Sequence, residues 1–118
     1  MANQPVMHLE IPTTNPDETS KFYEEIFGWK IETNPAHNYV TFQSESGLRG
    51  GFTRPGAPTY KPDRLLFYLP TDDIDAALAM IEAHGGKTVI PKTEIPHLLW
   101  WAVFIDPAGN HLGLFTRA

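Results

Sequence analysis

Alternation opens the chain. In residues 6–11, VMHLEI, Met7, Leu9 and Ile11 fall on one side of an extended strand, and His8 and Glu10 fall on the other. The next stretch, TTNPDETSKFYEEIFGW, changes period. Asn15 is a good N-cap, Pro16 suits a first turn and Glu18 completes a capping box. Phe22, Tyr23, Ile26 and Phe27 give that helix an apolar stripe, and Gly28 ends it in a left-handed cap. Strands are predicted at about 29–33, 39–43 and 48–53. RPGAPTYKPD (54–63), with three prolines and a glycine, predicts an extended linker. The order then repeats. LLFYL (65–69) is a strand, Asp73 caps a helix carrying Ile74, Ala77, Leu78 and Ile81, and Gly85–Gly86 stop it. Strands follow at about 87–90, 99–105 and 111–115.

The chain therefore repeats strand–helix–three strands. Asn15 and Gly28 lie 13 positions apart, and so do Asp73 and Gly86. Matching punctuation of this kind marks an internal repeat. The 118 residues fit a single domain, 1–118, with module 1 at about 5–53 and module 2 at about 64–116.

Composition narrows the chemistry. There is no cysteine, which removes disulfides, thiolate metal sites and a cysteine nucleophile. The net charge is −5 and no Lys/Arg cluster occurs, so neither nucleic acid nor an anionic membrane surface is an expected partner. The longest apolar run, 98–105, is too short for a membrane span. MANQPVMH lacks the regions of a signal peptide, so a cytoplasmic location is expected. No serine-nucleophile elbow, phosphate loop or dinucleotide glycine pattern is present.

HLEIP, FYEEIFGW, DDIDAALAMIEAHGGK and WWAVFIDPAGNHLGLF, in that order, resemble the vicinal oxygen chelate superfamily of glyoxalases, bleomycin resistance proteins and ring-cleaving (extradiol) dioxygenases. The resemblance covers nearly the whole chain. It implies an α+β fold of two βαβββ modules forming a paired half-barrel with a shared cleft, commonly completed by a homodimer. Members that do chemistry hold one divalent metal there, which binds neighbouring substrate oxygens and stabilises negative charge. Their ligands are His, Glu or Gln on the first and last strands of each module.

Measured against that ligand set, His8 matches a first-strand position. Its counterpart in the second module is Leu66, which cannot ligate. The last-strand acidic position is Gly113, and the corresponding strand of module 1 offers Gly50 and Gly51. A catalytic ion normally takes three protein ligands, so the metal site is read as degenerate and no cofactor is expected. Gly113 then marks either a widened cleft floor or a bulge or place for a neighbouring ring to pack. The alternative is a shifted metal site of His8, Glu10 and His111.

His97, after Pro96, is either a general base or an exposed loop residue. Trp100 and Trp101, adjacent on a strand, point to opposite faces, and alternation does not say which faces the cleft. Arg49 and Arg64 either bind an anionic substrate group or are solvated, and the solvated reading is taken. Asp106 is expected to cap its own turn with Pro107 and Gly109.

The expected function is binding of a small molecule in an aromatic cleft. Phe52, Trp100, Trp101, His111, Gly113 and Phe115 are the expected contacts, and His8 and Glu10 are the catalytic candidates. The alternatives are a metal-dependent lyase or dioxygenase using the shifted site, an enzyme working without metal through His8 and Glu10, with or without His97, or an accessory domain.

Overall fold

The computed structural model describes residues 5–36, 39–44 and 47–117. They form two compact units, residues 8–66 and residues 67–117 with 5–7.

The first module runs β1 (His8–Pro12), α1 (Pro16–Phe27), β2 (Lys30–Asn34), β3 (Tyr39–Gln43) and β4 (Arg49–Thr53). Its strands lie in the order β2-β3-β4-β1. β1 is parallel to β4, and the other pairs are antiparallel. The second module repeats this with β5 (Leu66–Pro70), α2 (Ile74–Ala83), β6 (Lys87–Ile95), β7 (Leu99–Ile105) and β8 (His111–Arg117). Its order is β5-β8-β7-β6, with β5 parallel to β8 and the rest antiparallel. The fold class is therefore α+β, built of two βαβββ modules.

Side-chain caps set the helices. Asn15 Oδ1 accepts from the Glu18 N–H at 3.1 Å, and Asn15 Nδ2 donates to the Glu18 carboxylate at 3.5 Å. Gly28 takes the left-handed conformation at φ 71°, and its N–H reaches Glu24 O at 3.0 Å. In the second module Asp73 Oδ1 accepts from the Ala76 N–H at 3.0 Å. Gly86 N–H closes on Ile81 O at 2.9 Å.

Each helix covers one face of its own sheet. Leu9, Ile11, Phe42 and Phe52 are buried there in the first module, with Tyr23, Trp29, Ile31 and Val40 around them. Ile74, Ala77, Leu78, Ala102, Phe104 and Leu114 form the second core, joined by Leu69, Ile81, Trp100 and Leu112.

Several expectations are corrected. Met7 does not join the first core. It precedes β1, and its N–H is donated to Tyr68 O at 3.0 Å in the second unit. The stripe on α1 is narrower than expected, because Phe22, Ile26 and Phe27 are 54%, 62% and 61% exposed. Tyr23 carries the aromatic contact to the sheet, 6.1 Å from Phe52, and stacks at 4.6 Å on the Trp29 ring, which Phe27 approaches at 6.4 Å. At 100° per residue, Phe22 and Ile26 fall on the row beside it. Residues 54–63 are not extended: Ala57, Tyr60 and Arg64 each donate to the carbonyl three residues earlier, in successive turns. β6 continues through Pro91 to Ile95, with register shifts between Thr88 and Ile90 and between Ile90 and Thr93 that let proline into a strand. Among the described residues no helix is long and apolar enough to cross a membrane.

Candidate functional site

Each sheet has one face that its own helix does not cover. In the first module that face carries His8 and Glu10 from β1, Tyr39 and Thr41 from β3, and Arg49, Gly51 and Thr53 from β4. The parity follows from the core, since Leu9, Ile11, Val40, Phe42 and Phe52 all turn toward α1. His8 lies opposite Arg49, and Glu10 opposite Gly51. Gly50 has the opposite parity: a Cβ there would run into Leu9 O and the Phe42 ring. Gly51 is thus the residue of the pair on the helix-free face.

A Cβ at Gly51 would overlap the Tyr39 hydroxyl and ring. The phenol occupies the space that a side chain on β4 would take, and its Oη stands 3.4 Å from His8 Nε2. Burial lowers the His8 imidazole from its usual 6.5 to about 4, so it is neutral at pH 7. Burial, and then the charge of Glu10, push the Tyr39 phenol up and keep its proton on. This corner of the face therefore offers an uncharged imidazole and an uncharged phenol in contact, beside a carboxylate.

The helix-free face of the second module is aromatic. Tyr68, Trp101, Val103, His111, Gly113 and Phe115 share it, because Leu69, Trp100, Ala102, Phe104, Leu112 and Leu114 turn toward α2. Trp101 stands opposite Phe115, Val103 opposite Gly113, and Tyr68 opposite Gly113 on its other side. A Cβ at Gly113 would overlap Cδ2 and Cε2 of Tyr68. Gly113 is a glycine because a neighbouring ring lies over it. The two modules match here: Tyr68 opposite Gly113 is the counterpart of Glu10 opposite Gly51, and Leu66 is the counterpart of His8.

Of the six expected contact residues, Trp101, His111, Gly113 and Phe115 come together on this face. Phe52 does not: it is 2% exposed, under α1. Trp100 does not either, since it packs beside the α2 core with the Lys92 ammonium 4.8 Å from its ring centre. His97 sits exposed in the β6–β7 turn at φ 64°. Asp106 caps its turn, with Oδ1 accepting from the Ala108 and Asn110 N–H groups at 2.9 Å each. Those bonds, Asn110 first, hold its carboxyl below the usual range.

The residues do not fit a divalent ion. Leu66 has no lone pair, and the spaces above Gly51 and Gly113 hold tyrosine rings. Among the described residues there is no group of three or more His, Asp or Glu side chains placed to hold a metal. Tyr39 and Tyr68 escaped the sequence reading. Their signal was indirect, a glycine in mid-strand on the row beside each ring.

The family model for the Glyoxalase/Bleomycin resistance protein/Dioxygenase superfamily matches residues 6–114. The protein CFP32 of Mycobacterium tuberculosis (strain CDC 1551 / Oshkosh) is 27% identical over 113 residues, covering 91% of this chain and 43% of CFP32. The anthracycline biosynthesis protein DnrV of Streptomyces peucetius is 31% identical over 115 residues, covering 84% of this chain and 42% of DnrV. The chain thus spans less than half the length of these two relatives. A superfamily member from Vibrio splendidus 12B01 has the same fold, with a TM-score of 0.68 at 12% identity over 98% of this chain and 100% of that one. The matched span and the doubled βαβββ architecture agree: the chain belongs to the Glyoxalase/Bleomycin resistance protein/Dioxygenase superfamily.

Proposed function

We propose that the chain binds a small organic molecule and does so without a divalent ion. The observation that carries this reading is the pair of glycines. Gly51 and Gly113 occupy helix-free faces where a ligating carboxylate would be needed, and tyrosine rings fill both places. What remains on the second module is an aromatic face of Trp101 and Phe115 beside the buried Tyr68 ring, suited to a planar apolar ligand. The names of DnrV and of the superfamily supply two probes, an anthracycline and bleomycin. Fluorescence titration of the protein with daunorubicin and with bleomycin, each with and without EDTA, tests the reading. Saturable binding of at least one, unchanged by EDTA, is the expected result. Binding abolished by chelation, or no binding of either, overturns it. A homodimer belongs to the same proposal on the strength of the resemblance, and light scattering at micromolar concentration checks it.

A further inference from the structure

We propose that Tyr39 is the polar recognition residue of the first module, its hydroxyl seated against His8 by the ring's place over Gly51, and that it binds its ligand at an uncharged hydroxyl or carbonyl oxygen. The inference rests on the small-molecule reading and goes beyond it by naming a residue and a ligand chemistry.

Three observations lead to it. The ring is fixed, because β4 carries no side chain at Gly51 and the phenol takes that volume. The hydroxyl stands 3.4 Å from His8 Nε2, a long contact that leaves the phenol oxygen further bonding capacity. Lastly, the face has no excess of one charge sign. Glu10 stands opposite Gly51, and Arg49 opposite His8, so a carboxylate and a guanidinium occupy neighbouring rows.

The hydrogen-bond roles give the ligand class. With Tyr39 donating to a bare Nε2, the phenol oxygen accepts from a ligand hydroxyl. With Nε2 protonated and donating to Tyr39, the phenol proton turns to a ligand carbonyl. Both tautomers serve an oxygen on the ligand. Neither supplies a formal charge to hold an ion.

Tyr39→Phe is the variant that tests this, because it keeps the ring on Gly51 and removes only the oxygen. Titrations of wild type and variant use 2-(hydroxymethyl)anthraquinone, which carries a free hydroxyl and carbonyl oxygens, and anthracene, which carries neither. The expected result is that 2-(hydroxymethyl)anthraquinone binds wild type more tightly than anthracene does. Its affinity should fall roughly three- to tenfold in Tyr39→Phe, the effect of one net hydrogen bond, while anthracene binding is unchanged. Equal affinity of 2-(hydroxymethyl)anthraquinone for wild type and a folded variant overturns the role of Tyr39 and leaves the small-molecule reading standing. Equal losses for both compounds also overturn it, since a missing oxygen cannot weaken anthracene. If neither compound binds wild type while daunorubicin or bleomycin does, this inference alone fails; if none of the four binds, the reading beneath it fails too.

Discussion

Gly113 and Tyr68 behave as one unit at the scale of the residue. Adding even a methyl group at 113 forces the Tyr68 ring to move, and Tyr68 is 6% exposed, with little free volume to move into. Gly113→Ala should therefore cost about 1–3 kcal/mol by overpacking, and Tyr68→Ala about 3–5 kcal/mol by leaving a cavity. The double variant should cost less than the sum by about 1 kcal/mol or more, since each change makes room for the other. Urea unfolding of the four proteins measures that coupling, and strict additivity would show that the ring does not occupy the glycine's space. His8 gives a pH test at the same scale. Its folded value of about 4 lies below the usual 6.5, so the unfolded chain takes up the proton first as pH falls. The His8 contribution is thus fully present above about pH 6.5 and is lost on descent toward 4. Between about pH 7 and pH 5 the wild type should lose more stability than His8→Gln does, by urea midpoint.

Elements differ in how legible they were. Both helix starts and stops were readable from Asn15, Gly28, Asp73 and Gly86, because capping is local chemistry between residues a few positions apart. The face of α1 was not, because four large apolar residues span more than one row and only contact with the sheet selects Tyr23. Asn15→Ala should cost about 1 kcal/mol and Tyr23→Ala about 2 kcal/mol or more. Phe22→Ser and Ile26→Ser should stay within about 0.5 kcal/mol. Thermal or urea unfolding checks the set, and a large loss at Phe22 would put the helix in a different rotation. β7 was ambiguous for a related reason. LWWAVFI is apolar on both faces, so alternation could separate Trp100 from Trp101 but not assign them. Ala102 and Phe104, packed against α2, decide the assignment.

Across the whole molecule, the doubled architecture was visible in the sequence and the fate of the metal positions only in part. That Leu66 and the glycines offer no donors could be read directly. That the vacated spaces hold tyrosine rings could not, because Tyr39 and Tyr68 reach their glycines from neighbouring strands, and register across strands is a tertiary fact. Filled space changes the prospects for restoring a site. A carboxylate introduced at Gly113 has to compete with Tyr68, so Gly113→Glu should gain no metal affinity while that ring is present. The central claim, that this member of the superfamily works without a resident divalent ion, is tested most directly by calorimetry. Fe(II), Mn(II), Ni(II) and Zn(II) would each be titrated into metal-stripped wild-type protein. No binding tighter than roughly micromolar, near about −8 kcal/mol, is the predicted result. Stoichiometric binding tighter than that by any of the four would contradict it.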